Sequence, residues 1–192
     1  MKKVFNLSGV KKAIRDLLIA FGEDINREGI RRTPERVAEF YQQALAGNRI
    51  EARNVLTVYY ETENYEELVL VKDITFFSLC EHHLLPFFGK MHIAYIPKSS
   101  RLLGVSKLVR LAEIYTRRLQ VQERLSQQIV EAIMESARPF GAMVVIEAEH
   151  LCMTMRGVAK PGSKMVTSAM RGIFLKDART RNEVLSLLNR HG

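Results

Sequence analysis

Three histidines and both cysteines of this chain fall in two short stretches, Cys80-Glu81-His82-His83 and His150-Leu151-Cys152. Thiolate and imidazole together form a donor set that prefers zinc. Cys-x-x-His is a chelating spacing, because one tight turn brings both side chains to a point. His-x-Cys on an extended segment puts residues i and i+2 on the same face. Taken singly, a cysteine is a small buried hydrophobe and a histidine is a satisfied core group. Five such residues at chelating spacings argue for a metal instead.

Five donors exceed what one site needs. A structural zinc closes with four, whereas a catalytic zinc keeps three and leaves a position for water. A site of Cys80, one of the paired histidines and Cys152 would leave two imidazoles beside an activated water. Imidazoles titrate near neutrality, which suits acid–base hydrolysis. Spacing alone does not say whether His82 or His83 is the ligand.

The rest of the 192-residue composition narrows the partners. Lys and Arg number 29 against 21 Asp and Glu, a net charge of +8 that fits an anionic partner. The basic residues are scattered and face an acidic patch at Glu61, Glu63, Glu66 and Glu67. That favours discrete phosphate sites over a nucleic-acid surface. Aromatics make up only 8%, with no Trp, so no base-stacking platform is expected. No run of about 18 apolar residues exists to span a membrane. The stretch Met1 to Asn6 lacks the apolar core of a secretion signal, so the expected compartment is the cytoplasm. Two cysteines are too few for a disulfide scaffold.

The elements that must position these residues follow from periodicity. Ser8 reads as an N-cap, followed by a helical stripe of Val10, Ile14, Leu17, Leu18 and Phe21 that stops at Gly22. Thr33-Pro34-Glu35 opens a second helix, with the cap, the proline and the acid each where a helix start favours them. Residues 55–60, 68–79, 87–96, 142–149 and 165–174 read as strands. Ser106 caps a run through Leu108, Leu111, Ala112 and Tyr115 that Leu125, Ile129 and Ile133 continue. No Gly or Pro interrupts residues 105–138, so one long helix and two stacked helices both fit. Val184, Leu187 and Leu188 mark a last short helix. The order predicts an α+β fold, an antiparallel sheet with helices on one face. Residues 1–50 are expected to form an N-terminal helical region apart from a domain of residues 51–192.

Several separate motifs resemble those of type I GTP cyclohydrolases. They are Thr33-Pro34-Glu35-Arg36-Val37-Ala38, Ser78 to Leu84 with Gly89-Lys90 and Ala94-Tyr95-Ile96-Pro97, Gly104 to Arg110, Arg118 to Leu125, and His150 to Gly157. They run in consistent order from about Gly29 onward. Val105 departs from the family's usual leucine. The resemblance implies the tunnelling fold, a strand-strand-helix-helix-strand-strand unit. In that family such units form ring pentamers that stack into a homodecamer, with sites between subunits.

The resemblance also implies a ligand set and roles. Cys80, His83 and Cys152 would hold Zn2+, and His82 and His150 would be the free acid–base pair. A zinc-activated water would attack C8 of the guanine of GTP and formate would leave. Ribose rearrangement would then give 7,8-dihydroneopterin triphosphate, the first step of pterin and folate biosynthesis. Glu123 would read guanine, whose N1–H and N2–H donors lie side by side for one carboxylate. On periodicity alone Glu123 is a solvated helix residue. Gln122 would help hold the base or the water. Lys107 and Arg110, at a helix start that already favours anions, would bind triphosphate with Arg156 and Arg36. Ser106 is both the expected N-cap and a candidate for the ribose rearrangement.

Other readings compete. A nitrile reductase of deazaguanine metabolism shares the expected fold, but would use a cysteine nucleophile and NADPH without zinc. A zinc-stabilised nucleic-acid binder fits the charge but lacks aromatic stacking residues. A degenerate pterin-binding paralogue would lack the spare histidines. Neither nucleic acid nor a membrane is an expected partner.

Overall fold

The structure, a computed structural model, describes residues 4–56, 59–61, 65–99 and 101–189. Thr57 and Val58 of the first expected strand, and Glu63 of the acidic patch, lie outside the described residues. Two helices lead, α1 (Leu7–Ala20) and α2 (Thr33–Ala44), followed by short 3-10 turns at Ala46–Arg49 and Ala52–Asn54. Strands β1 (Tyr59–Glu61), β2 (Val69–Cys80), β3 (Pro86–Ile96) and β4 (Arg101–Leu103) come next. Helix α3 (Val105–Thr116), strand β5 (Leu119–Gln120) and helix α4 (Gln122–Ala137) follow. The chain closes with β6 (Gly141–His150), α5 (Leu151–Thr154), β7 (Lys164–Gly172), α6 (Ile173–Lys176) and α7 (Ala178–Asn189).

The main sheet has the order β5-β2-β3-β6-β7, and its four long strands pair antiparallel. Strand alternation sends Phe76, Met91, Ile93, Tyr95, Val144 and Ile146 to one face, where they meet Leu108 and Leu111 of α3 and Leu125, Ile129 and Ile133 of α4. This is the expected α+β arrangement, with the two central helices over one face. The opposite face is partly covered as well. Ala94 and Met143 pack there against Phe174 and Val184 of the C-terminal helices. The expectation of helices on a single face is corrected to that extent, because the alternate residues of β3 and β6 are also apolar.

Local corrections have simple causes. Asn6, not Ser8, caps α1: its side-chain oxygen accepts from the Gly9 N–H at 2.9 Å. Thr33 lies inside α2 and Arg32 takes the cap position. The run 105–138 divides into α3 and α4, because Leu119 and Gln120 pair in parallel with Leu79 and Cys80 at the end of β2. β7 ends at Gly172, whose φ of 65° turns the chain into α6, so the expected strand stops short of Phe174. An added Cβ at Gly172 would stand 2.1 Å from the Phe140 carbonyl oxygen.

Candidate metal centre and active site

The Cys80 turn is built by the sheet. Cys80 ends β2, its N–H donates to Leu85 O at 2.8 Å, and the Leu84 N–H donates to Cys80 O at 2.9 Å. Leu84 takes a positive φ of 56°, closing the turn over Glu81, His82 and His83. The second stretch behaves differently from the sequence expectation. His150 is the last residue of β6, and the chain turns at once into the short helix α5, so Cys152 is not on an extended segment. Strand alternation therefore does not bring His150 and Cys152 to one face. The turn into α5 carries Cys152 toward Cys80 instead.

One ligand atom each from Cys80, His83 and Cys152 falls within 4.8 Å of the others, a group that can hold a metal ion. Cys80 is buried, Cys152 half-buried and His83 exposed. Nδ1 of His83 lies 4.0 Å from Cys80 Sγ, while its Nε2 accepts from Arg156 Nη1 at 2.8 Å. The donor set itself fits a soft or borderline cation. Burial, with Cys80 next to it, pushes the Cys152 thiol up. A cation between the sulfurs would reverse that repulsion.

His150 ends β6, two residues before Cys152. Its ring stacks on Phe87, centroids 4.6 Å apart and planes 5° from parallel. Its Nε2 is 2.8 Å from Oε1 of Gln122. Burial lowers the His150 pKa, and the carboxylate of Glu123 opposes the shift. Glu123 is exposed at the start of α4, so the helix that buries Gln122 presents the next residue toward the same histidine. His82 is exposed, with Nε2 3.9 Å from the Glu81 carboxylate. Arg124 grips Glu81 with both terminal nitrogens and also donates to Gln120 Oε1 and Leu119 O. Its guanidinium holds the Glu81 carboxyl below the usual range.

Other expected residues stand elsewhere in the chain. The N-cap of α3 is Gly104 without a side-chain bond, so Ser106 is not a cap; it is exposed in the first turn. Leu103 N–H donates to the Tyr95 hydroxyl, and Tyr95 pairs with Val69 at the far end of β2. The other end of α3 meets the Cys80 end, where Ser78 Oγ donates to Thr116 O at 2.7 Å. Lys107 therefore lies about 14 Å along the helix from Thr116, toward the Val69 end of β2, with Ser106 beside it and Arg110 one turn nearer Thr116. Arg36 is exposed on α2. Within one chain, the thiols, His82, His83, His150, Gln122, Glu123 and Arg156 gather, and the remaining cations do not.

Sequence reasoning passed over Arg124 and Phe87. Both lie beside or inside the quoted motifs, but nothing in their spacing says that one clamps Glu81 and the other stacks on His150.

No helix among the described residues is long and apolar enough to cross a membrane. An apo crystal structure titled as an archaeosine synthase QueF-Like matches 58% of this chain and 97% of its own, with a TM-score of 0.42 and 16% identity. That overlap is too partial to bear on the site. Proteins called GTP cyclohydrolase 1 are far more similar. The one from Thermoanaerobacter pseudethanolicus is 54% identical over 180 residues, covering 94% of this chain and 95% of that protein. The one from Clostridioides difficile is 55% identical over 179 residues, covering 93% and 94%. The one from Bacillus subtilis is 52% identical over 191 residues, covering 99% of each. The GTP cyclohydrolase I profile matches residues 10–189, and the chain belongs to that family.

Proposed function

We propose that this protein is a zinc-dependent GTP cyclohydrolase that releases C8 of guanine as formate and yields 7,8-dihydroneopterin triphosphate. The observation that carries the reading is the convergence of Cys80, His83 and Cys152 within 4.8 Å, with His150 two residues before Cys152 and bonded to Gln122. Bound by these three residues, zinc supplies Lewis-acid chemistry and makes a water nucleophilic near neutral pH.

This chain's own residues do the rest. Glu123 accepts the paired N1–H and N2–H of guanine, which fixes the base against His150. His150 and His82 are the proton carriers: one gives a proton to the imidazole-ring nitrogen as its bond to C8 breaks, and the other serves the attacking water. Both C8–N bonds break in turn, and a second water carries C8 away as formate. The ribose then opens, rearranges and closes onto the freed amine, with Ser106 as the candidate hydroxyl at that step. Arg156 binds the triphosphate from this end of the sheet.

Lys107, Arg110 and Arg36 complete the triphosphate site only if a second copy brings them. A homo-oligomer, in the family manner a decamer of two pentamers, is supported by two open sheet edges. Among the described residues, β7 has no outer neighbour and β2 is paired on its outer side only at Leu79 and Cys80. Phe77 beside that edge is 73% exposed, a large apolar side chain suited to burial against another subunit. Residues 1–50 are read as a helical region apart from a catalytic domain of residues 51–192, and the protein as cytoplasmic.

The test is direct. Pure protein is incubated with GTP, with and without a chelator, and formate and an oxidised fluorescent pterin are measured. Both products are expected, and the chelator should abolish both. No product with zinc-loaded protein rejects the reading.

A further inference from the structure

The resemblance has Gln122 helping to hold the base or the water, yet it is 1% exposed and both ends of its amide are engaged. Its Nε2 lies 3.0 Å from Ile146 O, 3.0 Å from Met165 O and 3.2 Å from Thr167 Oγ1. Ile146 O and Met165 O are main-chain carbonyls, which only accept. The NH2 end must face them, so the orientation of the amide follows from chemistry. Its oxygen is then forced toward His150 Nε2 at 2.8 Å. An amide oxygen only accepts, so Nε2 must carry a hydrogen.

The histidine has little freedom to escape this. Its ring lies flat on Phe87 at 4.6 Å, and Phe87 is fully buried. Flipping the ring would put the Cε1–H where Nε2 stands and give up the hydrogen bond to the amide oxygen. Rotating Gln122 to donate instead would set its oxygen against two carbonyls in a buried site. Four elements share the constraint: Phe87 from β3, His150 from β6, Met165 and Thr167 from β7, and Gln122 from the first turn of α4.

We infer that Gln122 is a positioning residue that holds His150 as the Nε2–H tautomer, leaving Nδ1 as the nitrogen that takes and gives the proton. The role in turnover rests on the hydrolytic function proposed above; the tautomer itself does not. In that reaction Nδ1–H passes its proton to the guanine ring nitrogen as the C8–N bond breaks, and Nδ1 is reprotonated from solvent water. Nε2 keeps its hydrogen on Gln122 throughout. The arrangement has the logic of a base whose tautomer is set by its second nitrogen's partner.

The experiment uses the zinc-loaded full-length protein with 15N-labelled histidine at about pH 8, above the ordinary imidazole pKa. The His150 ring nitrogens are identified by their loss in His150→Asn, and long-range proton–nitrogen spectra report which one bears the hydrogen. A protonated Nε2 and a bare Nδ1 are expected; a protonated Nδ1, or a mixture, overturns the inference. In Gln122→Met the preference should disappear, and kcat with GTP should fall about 10- to 100-fold with KM little changed. An unaltered tautomer or an unaltered kcat in a folded variant overturns it. If the variant does not fold, the wild-type spectrum decides alone. If wild type turns over no GTP, the function fails while the spectrum still reads the tautomer.

Discussion

Arg124 on the first turn of α4 closes a two-pronged ion pair on Glu81, the residue between Cys80 and His82. The same guanidinium donates to Gln120 Oε1 and Leu119 O, so the clamp ties α4, β5 and the chelating turn together. Planar Arg–carboxylate pairs fix geometry as well as charge. The turn that carries His82 and His83 is thereby held from outside. Arg124→Leu should leave the fold intact and weaken zinc binding by about tenfold, as for other partners behind a metal site. Competition with a chromogenic chelator measures it, and an unchanged affinity would remove the clamp from the account.

Glu123 sits next to buried Gln122 but is itself exposed, and its charge reaches His150. Its side chain holds up none of the core. Glu123→Ala should therefore keep the wild-type unfolding transition and lose GTP turnover. Wild-type kcat/KM in that variant would reject the guanine contact.

His92 offers a pH dependence away from the metal. Its Nδ1 accepts from the Asp73 N–H at 3.1 Å, at the bulge where the β2–β3 register shifts. Burial lowers its pKa below the ordinary 6.5; Asp73 and Glu147 oppose the shift, and Lys72 and Lys90 add to it. A histidine depressed in the folded state binds fewer protons there than when unfolded. Its contribution to stability is therefore full above about pH 6.5 and declines as pH falls through the folded pKa. His92→Gln should unfold in urea with a shallower loss of midpoint between pH 7 and pH 5, values bracketing the ordinary imidazole pKa. Parallel curves for the two proteins would show that His92 does not titrate in this way.

Gly47 lets the turn after α2 dock on the end of α3. Its N–H donates to Arg117 O, and its own carbonyl accepts from Arg118 Nε at 3.2 Å. A Cβ there would stand 2.0 Å from Ile114 O. Backbone cannot yield as a side-chain tip would. Gly47→Ala should cost at least about 1–3 kcal/mol, read as a lowered melting temperature.

The parts of this molecule that were legible in its sequence are those set by local chemistry. Cys-x-x-His predicted a chelating turn, and Cys80 and His83 do share one, because three residues closed by Leu84 leave few geometries. The long strands and the helical run over residues 105–138 announced themselves through alternation and a 3.6-residue stripe. What stayed hidden depends on distant partners. His-x-Cys looked extended, but the strand ends at His150. The split between α3 and α4 is made by Leu119 and Gln120 pairing with β2, which no helix-breaking residue signals. The apolar residues on the second face of β3 and β6 became meaningful only when α7 was seen to cover them. Gln122 carried no periodic signal either, since its place is defined by carbonyls of two strands that follow it in the chain.

X-ray absorption at the zinc edge on the purified, metal-loaded protein tests the shared thiolate site most directly. Two sulfurs at about 2.3 Å, one nitrogen at about 2.0–2.1 Å and one further light atom from solvent are predicted, with one sulfur lost in Cys152→Ala. Zinc with no sulfur neighbours, or with a sulfur count that Cys152→Ala leaves unchanged, would contradict it.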